Sequence, residues 1–131
     1  LSLHDALPIS IQHDKVMDVL IQINAAEEES KFGIRTGETG QVIREILDHC
    51  SNIRIKGLMS IVPFEDDPET VRVYFAELAK LYREHGAIRH ERLDFQYLSM
   101  GMSNDYPVAI EEGANAVRIG TSIFGARNYN Q

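Results

Sequence analysis

Two glycine-centred segments late in the chain carry residue types that can hold a phosphate. Ser99-Met-Gly-Met-Ser103 and Arg118-Ile-Gly-Thr121 each combine a glycine with hydroxyl side chains. Gly101 and Gly120 allow a backbone to approach a ligand closely, and Ser103 and Thr121 supply donors beside them. If a helix starts behind such a turn, its unpaired N–H groups and positive dipole end favour an anion. Arg118 adds a fixed cation if its side chain turns to the same place, and a surface charge if it does not. The same residues also read as ordinary turn glycines with capping serines, and spacing alone leaves both readings open.

Other reactive side chains form no pattern. Lys31 is an amine in a polar loop, where most lysines are simply solvated. The five histidines (His4, His13, His49, His85 and His90) show no metal-ligand spacing. His49 and His85 fall near expected helix C-termini, where the dipole favours them. Cys50 is the single cysteine, so no intramolecular disulfide forms, which fits a reducing, cytoplasmic setting. It reads as a small apolar residue late in a helix. There is no Walker loop, paired CxxC motif or nucleophile elbow, so no catalytic and no metal residues are assigned.

The elements that must position these residues follow from periodicity. Val19 to Asn24 is an apolar, β-branched run of strand length, followed by the acidic loop Glu27-Glu28-Glu29. Val42, Ile43, Ile46, Leu47 and Cys50 recur at three- and four-residue spacing and predict a helix over 39–50. Ile53 to Ile61 is the second strand. Asp67-Pro68 starts a helix with an N-cap and a proline at the first position, and Gly86 stops it. Phe95 to Met100 is the third strand. Ser103 is expected to cap a short helix ending at Gly113. Ala116 to Ile119 is the fourth strand, with a last helical turn near 122–124.

The order is βαβαβαβα. Strands separated by helices form parallel sheets, and near-continuous apolar strands fit a sheet covered on its faces. Periodicity leaves two α/β architectures open: an open doubly wound sheet, or part of a (β/α)8 barrel, whose full length is about 250 residues. In both, ligands gather at the C-terminal ends of strands. A chain of 131 residues, 44% hydrophobic, suffices for one domain with one core. A net charge of −7 argues against nucleic-acid binding, which needs clustered Lys and Arg. The longest apolar runs are strand length, too short to span a membrane. Residues 1–10 have no basic or long apolar region and poor periodicity, and are read as a non-native leader; residues 11–131 are read as the domain.

The segments DVLIQIN (18–24), EEESKFG (27–33), IKGLMSI (55–61), LSMGMSNDY (98–106) and VRIGTSIFGAR (117–127) resemble the YggS/PROSC-type pyridoxal phosphate homeostasis proteins. These are single-domain barrels similar to the N-terminal domain of alanine racemase. The likeness runs from Val16 to Tyr129, and two long motifs fall in the right order and at the right separation. It implies the C-terminal half, four βα units, of a PLP-binding (β/α)8 TIM barrel, with pyridoxal 5'-phosphate as cofactor. It further implies that Ser103, the backbone around Gly101 and Met102, Gly120 and Thr121 hold the phosphate. Arg118 then points inward to the pyridine nitrogen, Met59 lines the pocket, and Lys31 is not the lysine bonded to the cofactor. That lysine lies on the first strand of the family's barrel, before Val16, and is expected to be missing here.

The function implied is PLP binding and homeostasis without catalysis, the cofactor being the partner. The alternatives are a fragment of a PLP-dependent amino-acid racemase and a non-enzymatic phosphate-binding half barrel. Intact relatives are expected to be monomers. A half barrel should expose two sheet edges and apolar strand faces, so self-association is expected of the fragment.

Overall fold

Each strand lies parallel to the one before it, so the sheet is laid down in sequence order. The computed structural model describes residues 15–29 and 32–120. The strands are β1 (Met17–Gln22), β2 (Ile53–Met59), β3 (Leu93–Met102) and β4 (Ala116–Arg118), paired β1-β2-β3-β4. Between them run α1 (Thr39–His49), α2 (Arg72–Gly86) and α3 (Tyr106–Glu111). This is the α/β alternation expected from periodicity. Residues 1–14, which include the expected leader, and the helical turn expected near 122–124 lie outside the described residues.

One face of the sheet is covered. Ile53, Ile55 and Leu58 of β2, with Leu98 and Met100 of β3, meet Ile43 and Ile46 of α1 and Phe75 and Leu78 of α2 in a single core. Tyr82 of α2 stacks on Phe95 of β3, ring centroids 5.3 Å apart. The other face is more polar than an apolar-strand reading implies. Asp18 pairs with Arg54 at 2.7 Å and Asp94 with Lys56 at 2.8 Å, beside the exposed Leu20 and Tyr97. A period-two pattern places these charges opposite the buried residues, and pairing them in register leaves few bare charges there.

Several boundaries differ from the sequence expectation. β1 starts two residues early, and Ile23 instead bridges Ile34. β3 extends from Leu93 to Met102, because Asp94 and Gln96 lie on the open face and interrupt no burial. Asp67 does cap, accepting from the Glu69 N–H at 3.0 Å, but the first turn, Pro68–Val71, is a 3₁₀ turn. Ser103 is not the cap of α3: that position belongs to Asp105.

Arg92 closes the open end of α1. Its guanidinium donates to the carbonyls of Leu47, Cys50 (2.7 Å) and Ile53 (3.1 Å). Carbonyls at a helix C-terminus have no intrahelical partner, and a cation there also meets the negative dipole end. Arg92→Ala is expected to destabilise the fold by about 2 kcal/mol, read from the urea midpoint. A midpoint shift too small to measure would show that water replaces the guanidinium at no cost.

Glu69 and Asp94 give the fold an acid limit. The Arg72 guanidinium hydrogen-bonded to Glu69 holds that carboxyl below its ordinary value, and the Lys56 ammonium does the same for Asp94. A folded-state value below the unfolded one means the stabilisation is complete above the ordinary carboxylate range. It is then lost as pH falls through the depressed values. Stability should therefore decline from about pH 4.5 downward. Arg72→Ala should flatten part of that decline in denaturation curves taken across this window.

Candidate functional site

The C-terminal ends of the four strands are tied together by one serine. Ser60 follows β2 and is 1% exposed. Its hydroxyl donates to the Ile23 carbonyl beyond β1 at 2.6 Å, and its N–H donates to the Ser99 carbonyl of β3 at 3.0 Å. Its own carbonyl accepts from Arg118 Nη2 of β4 at 2.8 Å. Because β3 lies between β2 and β4, the Arg118 side chain must cross β3 to make this bond. Arg118 therefore does not run out to solvent, the alternative the sequence left open.

Arg118 Nε is buried and has no hydrogen-bond partner among the described residues. Burial pulls the guanidinium's pKa below its ordinary value, and the nearby Asp105 carboxylate opposes that pull. An arginine remains charged under such a shift. The result is a held cation at the strand ends with one buried donor unused among the described residues. Buried donors are seldom left so, and each such case calls for a physical reason.

The first glycine turn is shaped by close packing. Gly101 has φ +98°, and a Cβ there would stand 2.7 Å from the Ala109 Cβ of α3. Glycine both permits the backbone angle and admits the helix. Asp105, 5% exposed, accepts from the Met102 N–H at 2.8 Å, so that donor is already engaged. Ser103 lies between them, half-buried. Asn104 Nδ2 donates to the Glu65 carbonyl at 2.7 Å and ties this turn to the loop after β2. Gly120 is exposed, and no described residue lies within 4 Å of a Cβ placed on it. Thr121 and Lys31 lie outside the described residues.

Met59 is half-buried between the fully buried Leu58 and Ser60. It is on the same strand end as the Ser60 anchor, as a pocket-lining residue would be. Sequence reading placed Met59, Gly101, Met102, Ser103, Arg118 and Gly120 at strand ends, and the structure brings those ends together. It missed the work of Ser60 and Asp105. For Asp105 a signal existed: an aspartate two residues before Pro107 is a helix-start pattern. For Ser60 none did, since its three partners come from three other segments. Among the described residues no group of His, Cys, Asp and Glu could hold a metal, and no helix is long and apolar enough to cross a membrane.

Comparison with known proteins decides the family. The family described as "Alanine racemase, N-terminal domain" matches residues 3–128. The chain belongs to this family. A relative from Aquifex aeolicus named pyridoxal phosphate homeostasis protein is 42% identical over 120 residues, covering 92% of this chain and 51% of its own length. A protein of unknown function from Bifidobacterium adolescentis has the same fold at a TM-score of 0.82 and 30% identity, over 92% of this chain and 48% of that one. PipY from Synechococcus elongatus, solved with PLP bound, matches at a TM-score of 0.74 and 26% identity, over 95% and 57%. The chain thus spans about half the length of relatives in the alanine racemase N-terminal domain family, and its sheet is a partial (β/α)8 barrel.

Proposed function

We propose that this chain supplies the phosphate and ring-nitrogen ends of a pyridoxal 5'-phosphate site in a non-catalytic protein of PLP homeostasis. The observation that carries the reading is the unused buried Nε of Arg118 at the strand ends. A pyridine nitrogen is an acceptor suited to that donor. Gly120 also fits, because it is exposed and no described residue occupies the space beside it. The names of the relatives and the PLP bound to PipY support the same choice of ligand.

Arg118 would face the ring nitrogen, and Met59 would line the ring pocket. Ser103, the backbone of the Gly101–Met102 turn, Gly120 and Thr121 would hold the phosphate. The Met102 N–H already serves Asp105, so within the first turn the phosphate would draw on the other donors. When bound, PLP supplies an electron sink. An arginine at the ring nitrogen would leave that nitrogen unprotonated and weaken the sink, which suits racemase-like or non-catalytic binding. A racemase would also need an acid/base pair across the ligand, and no residue is assigned to that role. The amine that bonds covalently to the cofactor is proposed to lie outside these 131 residues.

Titration with PLP, pyridoxal and inorganic phosphate tests this. PLP should bind saturably, and removing its phosphate should weaken binding about tenfold or more. Equal affinity for PLP and phosphate would favour a general phosphate site. After borohydride reduction, Lys31 should carry no adduct by mass spectrometry, and a stoichiometric adduct there would place the covalent amine in this chain.

A further inference from the structure

We propose that Ser60 is the positioning residue of the site: its hydroxyl fixes the end of β2 so that its carbonyl can hold the Arg118 guanidinium across β3. The inference deepens the PLP reading above, but its structural half concerns this chain's own residues.

Ser60 is hydrogen-bonded to all three other strand ends. Its hydroxyl is spent on the Ile23 carbonyl at 2.6 Å, its N–H on Ser99 at 3.0 Å, and its carbonyl on Arg118 at 2.8 Å. It is 1% exposed, so its side chain cannot exchange these contacts for water. A backbone carbonyl at the end of a strand is free to rotate unless the segment is pinned. Ile23 N–H also donates to the Met59 carbonyl at 2.8 Å, so the Ser60 hydroxyl completes a two-point clamp between the ends of β1 and β2. Removing the hydroxyl leaves the Met59–Ser60 peptide held by Ile23 and Ser99, but the next peptide, which carries the Ser60 carbonyl, loses the side-chain tie that limits its rotation. Arg118 Nη2 then loses its anchor, and the direction of Nε is no longer set. An arginine whose terminal nitrogen is fixed presents its remaining donors in a known plane, which is how a guanidinium discriminates an in-plane acceptor.

Because Arg118 is assigned to the ring and not to the phosphate, the inference separates two ligands. Ser60→Ala should weaken PLP about tenfold while leaving inorganic phosphate unchanged. Ser60→Thr, which keeps the hydroxyl, should restore PLP affinity. General loosening of the fold would weaken both ligands together. In the protein without ligand, the Arg118 Nε–H should give a slowly exchanging NMR resonance that Ser60→Ala loses and Ser60→Thr keeps. Should Ser60→Ala not fold, Ser60→Cys keeps the volume with a weaker donor and carries the same comparison.

An unchanged Arg118 resonance in Ser60→Ala would overturn the proposal, as would parallel loss of PLP and phosphate. If the wild-type chain binds no PLP but the resonance behaves as stated, the cofactor reading fails and the positioning role stands.

Discussion

Gly57→Ala should abolish the native sheet. Gly57 lies in the centre of β2 with φ +152°, and a Cβ there would fall 1.8 Å from the Tyr97 carbonyl oxygen of β3 and 2.8 Å from its carbonyl carbon. Both are backbone atoms and cannot swing away. The pairing is irregular on both sides of this residue: Val19 and Leu20 of β1 face Ile55 and Gly57, and Ile55 and Gly57 face Leu93 and Tyr97 of β3. The strands can approach this closely only without a side chain. Strain of this kind, added to the lost β2–β3 pairing, should cost about 4 kcal/mol or more. That is a large fraction of the about 5–15 kcal/mol that holds a domain folded. Circular dichroism should show no cooperative thermal transition. A melting point within a few degrees of wild type would mean that the bulge rearranges without penalty. Gly101→Ala should be milder, because its nearest obstacle is the Ala109 methyl of a short helix.

The second large effect concerns ligand and not fold. Arg118→Met is expected to weaken PLP binding about 10- to 100-fold while leaving folding stability within about 1 kcal/mol. The variant gives up the bond to the Ser60 carbonyl but also removes a buried donor that has no partner, and these oppose each other. A residue kept for packing would show the reverse, a loss of stability with little change in affinity. Titration and urea denaturation on the same samples separate the two. Unchanged PLP affinity would remove Arg118 from the site.

Much of the fold was legible because its signals are local. The apolar spacing of Ile43, Ile46, Phe75 and Leu78 predicts two helices, and all four side chains are buried. The parallel sheet follows from strands that alternate with helices. The start of β3 was not legible, since Asp94 reads as a loop residue until its Lys56 partner on β2 is known. The α3 start was legible in Asp105 before Pro107, but Ser103 also reads as a cap, and the structure gives the position to Asp105.

The Gly101 and Gly120 segments show where the division falls. Composition and order alone determined an α/β chain with glycine and hydroxyl turns at the ends of its third and fourth strands, because strand and helix periods are written in neighbouring residues. Tertiary structure alone decided which way the side chains at those ends face. The bulge at Gly57 shifts the alternation of β2 by one residue, so Leu58 takes the buried place and Met59 lies between it and the buried Ser60. Likewise the course of Arg118 across β3 depends on a carbonyl 58 residues earlier in the chain. Neither follows from spacing, since both are set by backbone contacts between strands that only the folded sheet brings together.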